Sequence, residues 1–297
     1  MKSAQPSPYQ PTPGPGMGTQ LGIGATGGFI GGLLGGGSGV FFVPALEKVT
    51  SLSRPALHGT AGAANIAVCG VGAATFAIAG GSIDLRAGTG MVIGATLGAV
   101  WGARLILRLP HLMLRWLFVA ILVLTCLKLF LDTAGADPLQ GSAIVSDGVL
   151  ESLGYVIPVS LVLGLVIGAW AAGMGLGGGL LAVPALMLLF GTDLPTAEGT
   201  SLLMFFPNAI VGTITHARQG TADLRLGGIL NLGALPGAIV GALVALALNV
   251  RVLGLVFAVF ALAIAIREMF RMWREAQAST ATAAAPPLSS ERALTEE

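Results

Sequence analysis

The stretch "GGGSGVFFVPAL" at residues 35–46 opens with four glycines and a serine in five positions, then runs apolar into a proline. The chain repeats it as "GLGGGLLAVPAL" at residues 175–186, with Gly39 and Gly179, and Pro44 and Pro184, each 140 residues apart. Each glycine weakens a helix by about 1 kcal/mol relative to alanine, so neither run is built to continue one. Both runs nevertheless sit inside long apolar surroundings. The reading of the whole chain turns on why it keeps two such interruptions.

Composition fixes the solvent. Of 297 residues, 54% are hydrophobic and 10% are charged, against about 25% charged in an ordinary soluble domain. Such a chain cannot cover a water-facing surface, and apolar windows long enough to cross a bilayer recur along it. The expected fold is an all-α polytopic membrane protein. A net charge of +1 gives no reason to expect nucleic acid as a partner. Cys69 and Cys126 lie within apolar runs and imply neither a disulfide nor a metal framework. No cofactor is implied. Residues 1–20 and 274–297 are rich in small, polar and proline residues and read as disordered tails.

Between the tails lies a duplication. "HGT" at residues 58–60 answers "EGT" at 198–200, and Gly72 and Gly80 answer Gly212 and Gly220. After one lost residue, "DLR" at 84–86 answers "DLR" at 223–225, and "GATLGAVWGA" at 94–103 answers "GALPGAIVGA" at 233–242. The first transmembrane repeat spans residues 21–131 and the second 152–273. An acidic linker, 132–151, joins them. Each repeat holds a broken pair of short helices and then three long apolar ones, expected at 55–79, 85–107 and 112–131, and at 195–217, 224–248 and 252–270.

Lysine and arginine decide how the halves relate, because short cytoplasmic loops carry an excess of both. If each broken pair is a hairpin, the halves are inverted repeats. Twelve cations then lie with a cytoplasmic C-terminus, among them Lys48, Arg54, Arg115, Arg218 and Arg225, against Arg86, Lys128 and Arg251 outside. If each pair crosses once, the split is nine against six. The inverted arrangement is favoured, in a cell (inner) membrane.

Matching interruptions in two halves of a membrane protein point to a binding site near mid-bilayer. A helix starting at Gly39 or Gly179 aims its unpaired N–H groups and positive dipole end into the gap, which suits an anion. The candidate binding residues are Gly37, Ser38 and Gly39 in the first break and Gly177, Gly178 and Gly179 in the second. Thr60, Asn65, Thr200, Ser201 and Asn208 add polar groups on the helices that follow. His58 and Glu198 occupy equivalent positions and are candidates for proton handling, with helix capping as the plainer role. The competing reading of the glycines is close helix packing. It fits the four-residue spacings of Gly24, Gly28 and Gly32 and of Gly233, Gly237 and Gly241 better than it fits the two contiguous runs.

At these residues the chain resembles the TauE/SafE family of sulfite and organosulfonate exporters. The shared pattern is a glycine-rich segment ending in proline, a "GTS"-type helix start ("HGTAG", "EGTSL"), a "G-x-x-D-x-R" loop ("GGSIDLRAG", "GTADLRLG") and glycine–alanine helices. The resemblance implies movement of a small sulfur oxyanion such as sulfite, thiosulfate or a sulfonate. Ala61, standing where the second copy has Ser201, and His58 depart from the pattern. Two rivals remain: an anion channel, and a rhomboid-like serine protease in which "GGSG" at 36–39 would supply Ser38 as nucleophile. The expectation is a non-enzymatic transporter in a lipid bilayer, of unspecified oligomeric state, with a small anion as its partner.

Overall fold

The computed structural model describes residues 16–80, 83–102, 111–133, 153–174 and 179–284. Its described elements are helices: α1 (Met17–Leu33), α2 (Gly39–Val49), α3 (Arg54–Ile78), α4 (Leu85–Leu97), α5 (His111–Thr133), α6 (Leu153–Met174), α7 (Gly179–Leu189), α8 (Leu194–Arg218), α9 (Leu224–Ala247) and α10 (Val250–Ala284). Five of them, α3, α5, α6, α9 and α10, are long and apolar enough to cross a membrane. Their outer faces expose Leu124, Val162, Leu232 and Val259, as expected where the neighbours are lipid tails. The chain is thus an all-helical polytopic membrane protein.

The first break is the tip of a hairpin. Gly35, Gly36 and Gly37 hold φ of +66°, +106° and +81°, a region closed to side-chain-bearing residues without strain. These three turns reverse the chain, and α2 runs back along α1. Gly27 faces the Phe42 ring and Gly31 faces Ser38. The contiguous glycines are therefore required by backbone geometry, beyond any need for close packing. The second break falls at 175–178, so Gly177 and Gly178 lie outside the described residues, as does most of the acidic linker.

Two sets of glycines spaced along the helices join the halves. α1 lies parallel to α9: Gly24 sits on the Leu230 carbonyl, Gly28 on Ala234 and Gly32 on Ala238. In return Gly233, Gly237 and Gly241 sit on Leu21, Ala25 and Phe29. α6 and α4 repeat the arrangement, with Gly164 on Met91 and Gly168 on Ala95, and with Gly94 and Gly98 on Leu161 and Leu165. The first arm of each half is thus packed into the other half, backbone against backbone.

At the centre, the equivalent helices α3 and α8 run antiparallel. Gly59 meets His216, Gly70 meets Phe206, Gly72 meets Leu202 and Phe76 meets Gly199. The antiparallel crossing gathers Arg54, at the start of α3, with Arg218, at the end of α8. Lys128 and Arg251 line a cavity with Asp193 at the opposite end of α8. Gly80 and Gly220, matched in the repeat, both turn the chain with positive φ, +100° and +68°.

Three boundaries differ from the sequence expectation. α1 begins at Met17, inside the stretch expected to be a tail. α4 gives way to a π-helical turn at Gly98–Gly102, beside the tight Gly98–Leu165 contact, where the sequence pattern predicts a straight helix to residue 107; π turns mark such local distortions. α10 continues to Ala284, past residue 273, in a stretch rich in good helix formers. There Glu275 pairs with Arg271 one turn back, at 3.2 Å, and with the buried Arg115 of α5.

The seams predict a clear contrast. A Cβ at Gly28 would lie 2.4 Å from the Ala234 carbonyl oxygen, whereas one at Gly22 meets nothing within 4 Å. Gly28→Ala is expected to cost about 1–3 kcal/mol through overpacking. Gly22→Ala is expected to be neutral or slightly stabilising. Thermal unfolding of the purified variants in detergent measures both.

Candidate functional site

A cavity of about 240 Å³ reaches the break from one side. Its inner end is formed by Gly36, Gly37 and Gly179, so both interruptions border one space. They also touch: a Cβ on Gly179 would fall 2.7 Å from the Gly35 carbonyl oxygen and 2.8 Å from Gly36 Cα. From there Asn65, Asn208 and Phe205 form the walls, and His58, His216 and Gln219 the mouth. Thr215 and Gln219 are exposed, so this end opens outward. The far end is shut, since Phe76, Leu202 and Glu198 have no exposure.

The donors at the inner end are backbone groups. α2 starts at Gly39 after Ser38, and its first helical bonds run from Val40 to Gly37 O and from Phe42 to Ser38 O, at 3.0 and 2.8 Å. Among the described residues, the N–H groups of Gly37, Ser38 and Gly39 find no backbone acceptor. They are the orphan donors that every helix start leaves. The Ser38 hydroxyl donates to Asn65 Oδ1, which leaves the two N–H bonds of the Asn65 amide to serve a guest. Among the described residues, no lysine or arginine lines the cavity. An anion here would be met by dipoles and amide donors, with no full charge to bind it too tightly.

At the mouth, Thr221 Oγ1 lies 2.9 Å from His216 Nδ1 and 3.2 Å from the His216 carbonyl oxygen. The hydroxyl's single proton goes to the carbonyl, so its oxygen accepts from Nδ1–H. Nε2 is then the nitrogen that can gain or lose a proton.

The structure divides the sequence candidates. Gly37, Asn65, Gly179, Asn208 and His58 line the cavity, and Ser38 reaches it through Asn65. Gly39 starts α2 directly behind the wall. Thr60 and Thr200 do not line it. Each is fully buried and accepts the backbone N–H of the other half's loop aspartate, Asp223 to Thr60 and Asp84 to Thr200, both at 3.0 Å. Those aspartates cap α9 and α4 with their side chains, Asp223 accepting from the Leu226 N–H and Asp84 from the Arg86 N–H, each at 2.9 Å. The repeated "DLR" and "GT" are thus the two ends of one reciprocal clamp. Ser201 and Glu198 are also fully buried and off the cavity. Both pack against the first break, Glu198 on Gly35 and Ser201 near Gly36.

Cys69, Phe205 and Asn231 were not singled out by pattern. Cys69 and Phe205 line the cavity. Asn231 acts through α3: its Oδ1 accepts from the Ala67 N–H at 2.9 Å and its Nδ2 donates to the Ala63 carbonyl at 2.8 Å. Ala67 answers Pro207 in the repeat, and proline has no N–H to give to the Leu203 carbonyl. Both central helices are therefore altered at the same rung, beside the cavity. Only Pro207 left a trace in the sequence. Among the described residues, no group of three His, Cys, Asp or Glu is placed to hold a metal.

The clamp gives a prediction. Thr60→Val and Thr200→Val each strand a buried N–H, and each is expected to lower stability by about 1–3 kcal/mol. The two losses should be similar, and substrate affinity should change little, because neither residue borders the cavity. Denaturation and ligand titration of the single variants measure the two effects separately.

Comparison with known proteins agrees with this architecture. The chain matches the family described as sulfite exporter TauE/SafE over residues 2–129 and 160–293. It is 28% identical over 260 residues to a probable membrane transporter protein of Xylella fastidiosa strain Temecula1, covering 85% of this chain and 95% of that one. A second such protein, from Xylella fastidiosa strain 9a5c, matches at 28% over 259 residues. The probable membrane transporter protein YunE of Bacillus subtilis strain 168 is 32% identical over 120 residues, 38% of this chain and 44% of its own. No solved structure matches. With matches running through both halves and both interruptions, the chain belongs to the TauE/SafE sulfite exporter family of membrane transporters.

Proposed function

We propose that the protein is a secondary transporter that moves a small sulfur-containing anion, such as sulfite, thiosulfate or an organosulfonate, by alternating access. The observation that carries this reading is the set of orphan N–H groups at Gly37–Gly39, at the closed end of a cavity lined, among the described residues, by no lysine or arginine. Amide donors at a helix start prefer negative charge. The family supplies the sulfur chemistry.

The antiparallel run of α3 and α8, whose sequences match, supports inverted halves, because repeats related by an axis along the membrane normal would place them parallel. The hairpin at the first break supports the same topology. With Arg54, Arg218 and Arg225 on the cytoplasmic side, the cavity opens to the cytoplasm and the C-terminus lies there too. Access from one side only favours a transporter over a channel, which needs a continuous path. The protease reading is disfavoured because the Ser38 proton is given to Asn65, not to an imidazole as nucleophile activation requires.

In a thermal-shift panel of sulfite, thiosulfate, sulfate, taurine and sulfoacetate, at least one sulfur anion is expected to stabilise the purified protein. A ligand present at a hundred times its Kd adds about 2.7 kcal/mol. Asn65→Leu removes the amide donors and should weaken that ligand roughly tenfold, equivalent to about 1.4 kcal/mol. Stabilisation by cations or neutral solutes alone would reject the substrate class.

A further inference from the structure

We propose that Glu198 is a proton-carrying site, and that one proton moves with the anion in the same direction. This rests on the transporter reading above and names its coupling ligand.

Glu198 has no exposure, and among the described residues neither carboxylate oxygen has a hydrogen-bond partner. It lies on α8, where it packs against Gly35 at the tip of the first hairpin. Its neighbour Ser201, also without exposure, has a hydroxyl with no partner among the described residues. A charge sealed in an apolar interior without partners is unfavourable, so a carboxyl there holds its proton. Among the described residues, the elements packed around it supply no compensating cation. α7 has no titratable residue, and α6 has only Tyr155. α3 presents Gly72 and Phe76 at this level. α4 brings Asp84 and an exposed Arg86, and α8 itself brings Asp193. Lys128, Asp132 and Arg251 line the neighbouring outer cavity. None of these groups forms an ion pair with Glu198.

Position supplies the route. Leu194, one helical turn from Glu198 on the same face of α8, lines the outer cavity and is itself 1% exposed. Glu198 therefore stands between an outer cavity plugged by Leu194 and the break that ends the inner one. Its equivalent in the first half is His58, which lines the open cavity. If the two halves exchange conformations, Glu198 takes the wetted environment His58 has here. There the carboxylate takes its proton from water on the outer side; in the state seen here the acid gives that proton up across the Gly35–Gly36 tip to water of the inner cavity, leaving the carboxylate, so one proton crosses per cycle. A negative Glu198 beside Gly35 would repel an anion at Gly36, so each ligand favours binding of the other.

Two measurements on the full chain test this. Infrared spectra of purified protein at neutral pH should show a protonated-carboxyl band that E198Q lacks. A wild-type protein without that band overturns the proposal, whatever ligand it binds. In proteoliposomes, wild-type protein should accumulate thiosulfate when the exterior is made acidic. E198Q should keep thiosulfate counterflow but lose that accumulation by tenfold or more. Accumulation that survives in E198Q, or that is lost only in H58Q, assigns the proton elsewhere and overturns the proposal. Failure of the wild type to bind or move thiosulfate counts against the proposed substrate class instead, and the infrared band still judges Glu198.

Discussion

Backbone amides in a lipid-facing protein must find partners inside the protein or in water, and the rest of this structure follows from that constraint. An interruption such as Gly35–Gly37 can persist only where other protein walls it off. The walls here are the second break at Gly179, the buried face of α8 and the amide of Asn65. A chain with one break would leave that backbone against hydrocarbon. Duplication supplies a second break, and Gly179 at its end closes against the first at the head of the cavity.

The halves are locked by exchange. Each half's first arm lies in the other's glycine seam, and each half's threonine accepts the N–H of the other's loop aspartate. Neither half can bury its own surfaces alone. The glycines and alanines of the seams bring backbone directly against backbone. α3 and α8, by contrast, are altered at one shared rung, by Asn231 in one case and Pro207 in the other. Rigid seams with pliant central helices suit motion of one unit against another.

Much of this was legible in the residues. The repeat, the hairpin-forming glycines and the helix count follow from periodicity and from the φ that only glycine tolerates. The role of Thr60 and Thr200 was not legible. A buried threonine in a repeated motif reads equally as a ligand donor or as a clamp, and its partner lies 163 residues away in one case and 116 in the other. Asn231 was hidden for the same reason: nothing near it in sequence announces a bond to the backbone of α3. The contact of Glu275 on α10 with Arg115 of α5 is likewise tertiary, 160 residues apart in sequence.

The repeat is symmetric in its frame and asymmetric in its lining. Ser38 answers Gly178, Asn65 answers Phe205, Asn208 answers Val68, His216 answers Phe76, and His58 answers Glu198. At four of these five paired positions a polar side chain in one half faces an apolar or side-chain-less residue in the other, and at the fifth a base faces an acid. Glycine seams, capping aspartates and clamping threonines recur in both halves. A guest needs one set of donors, and in each of these five pairs at least one residue borders the cavity or the break.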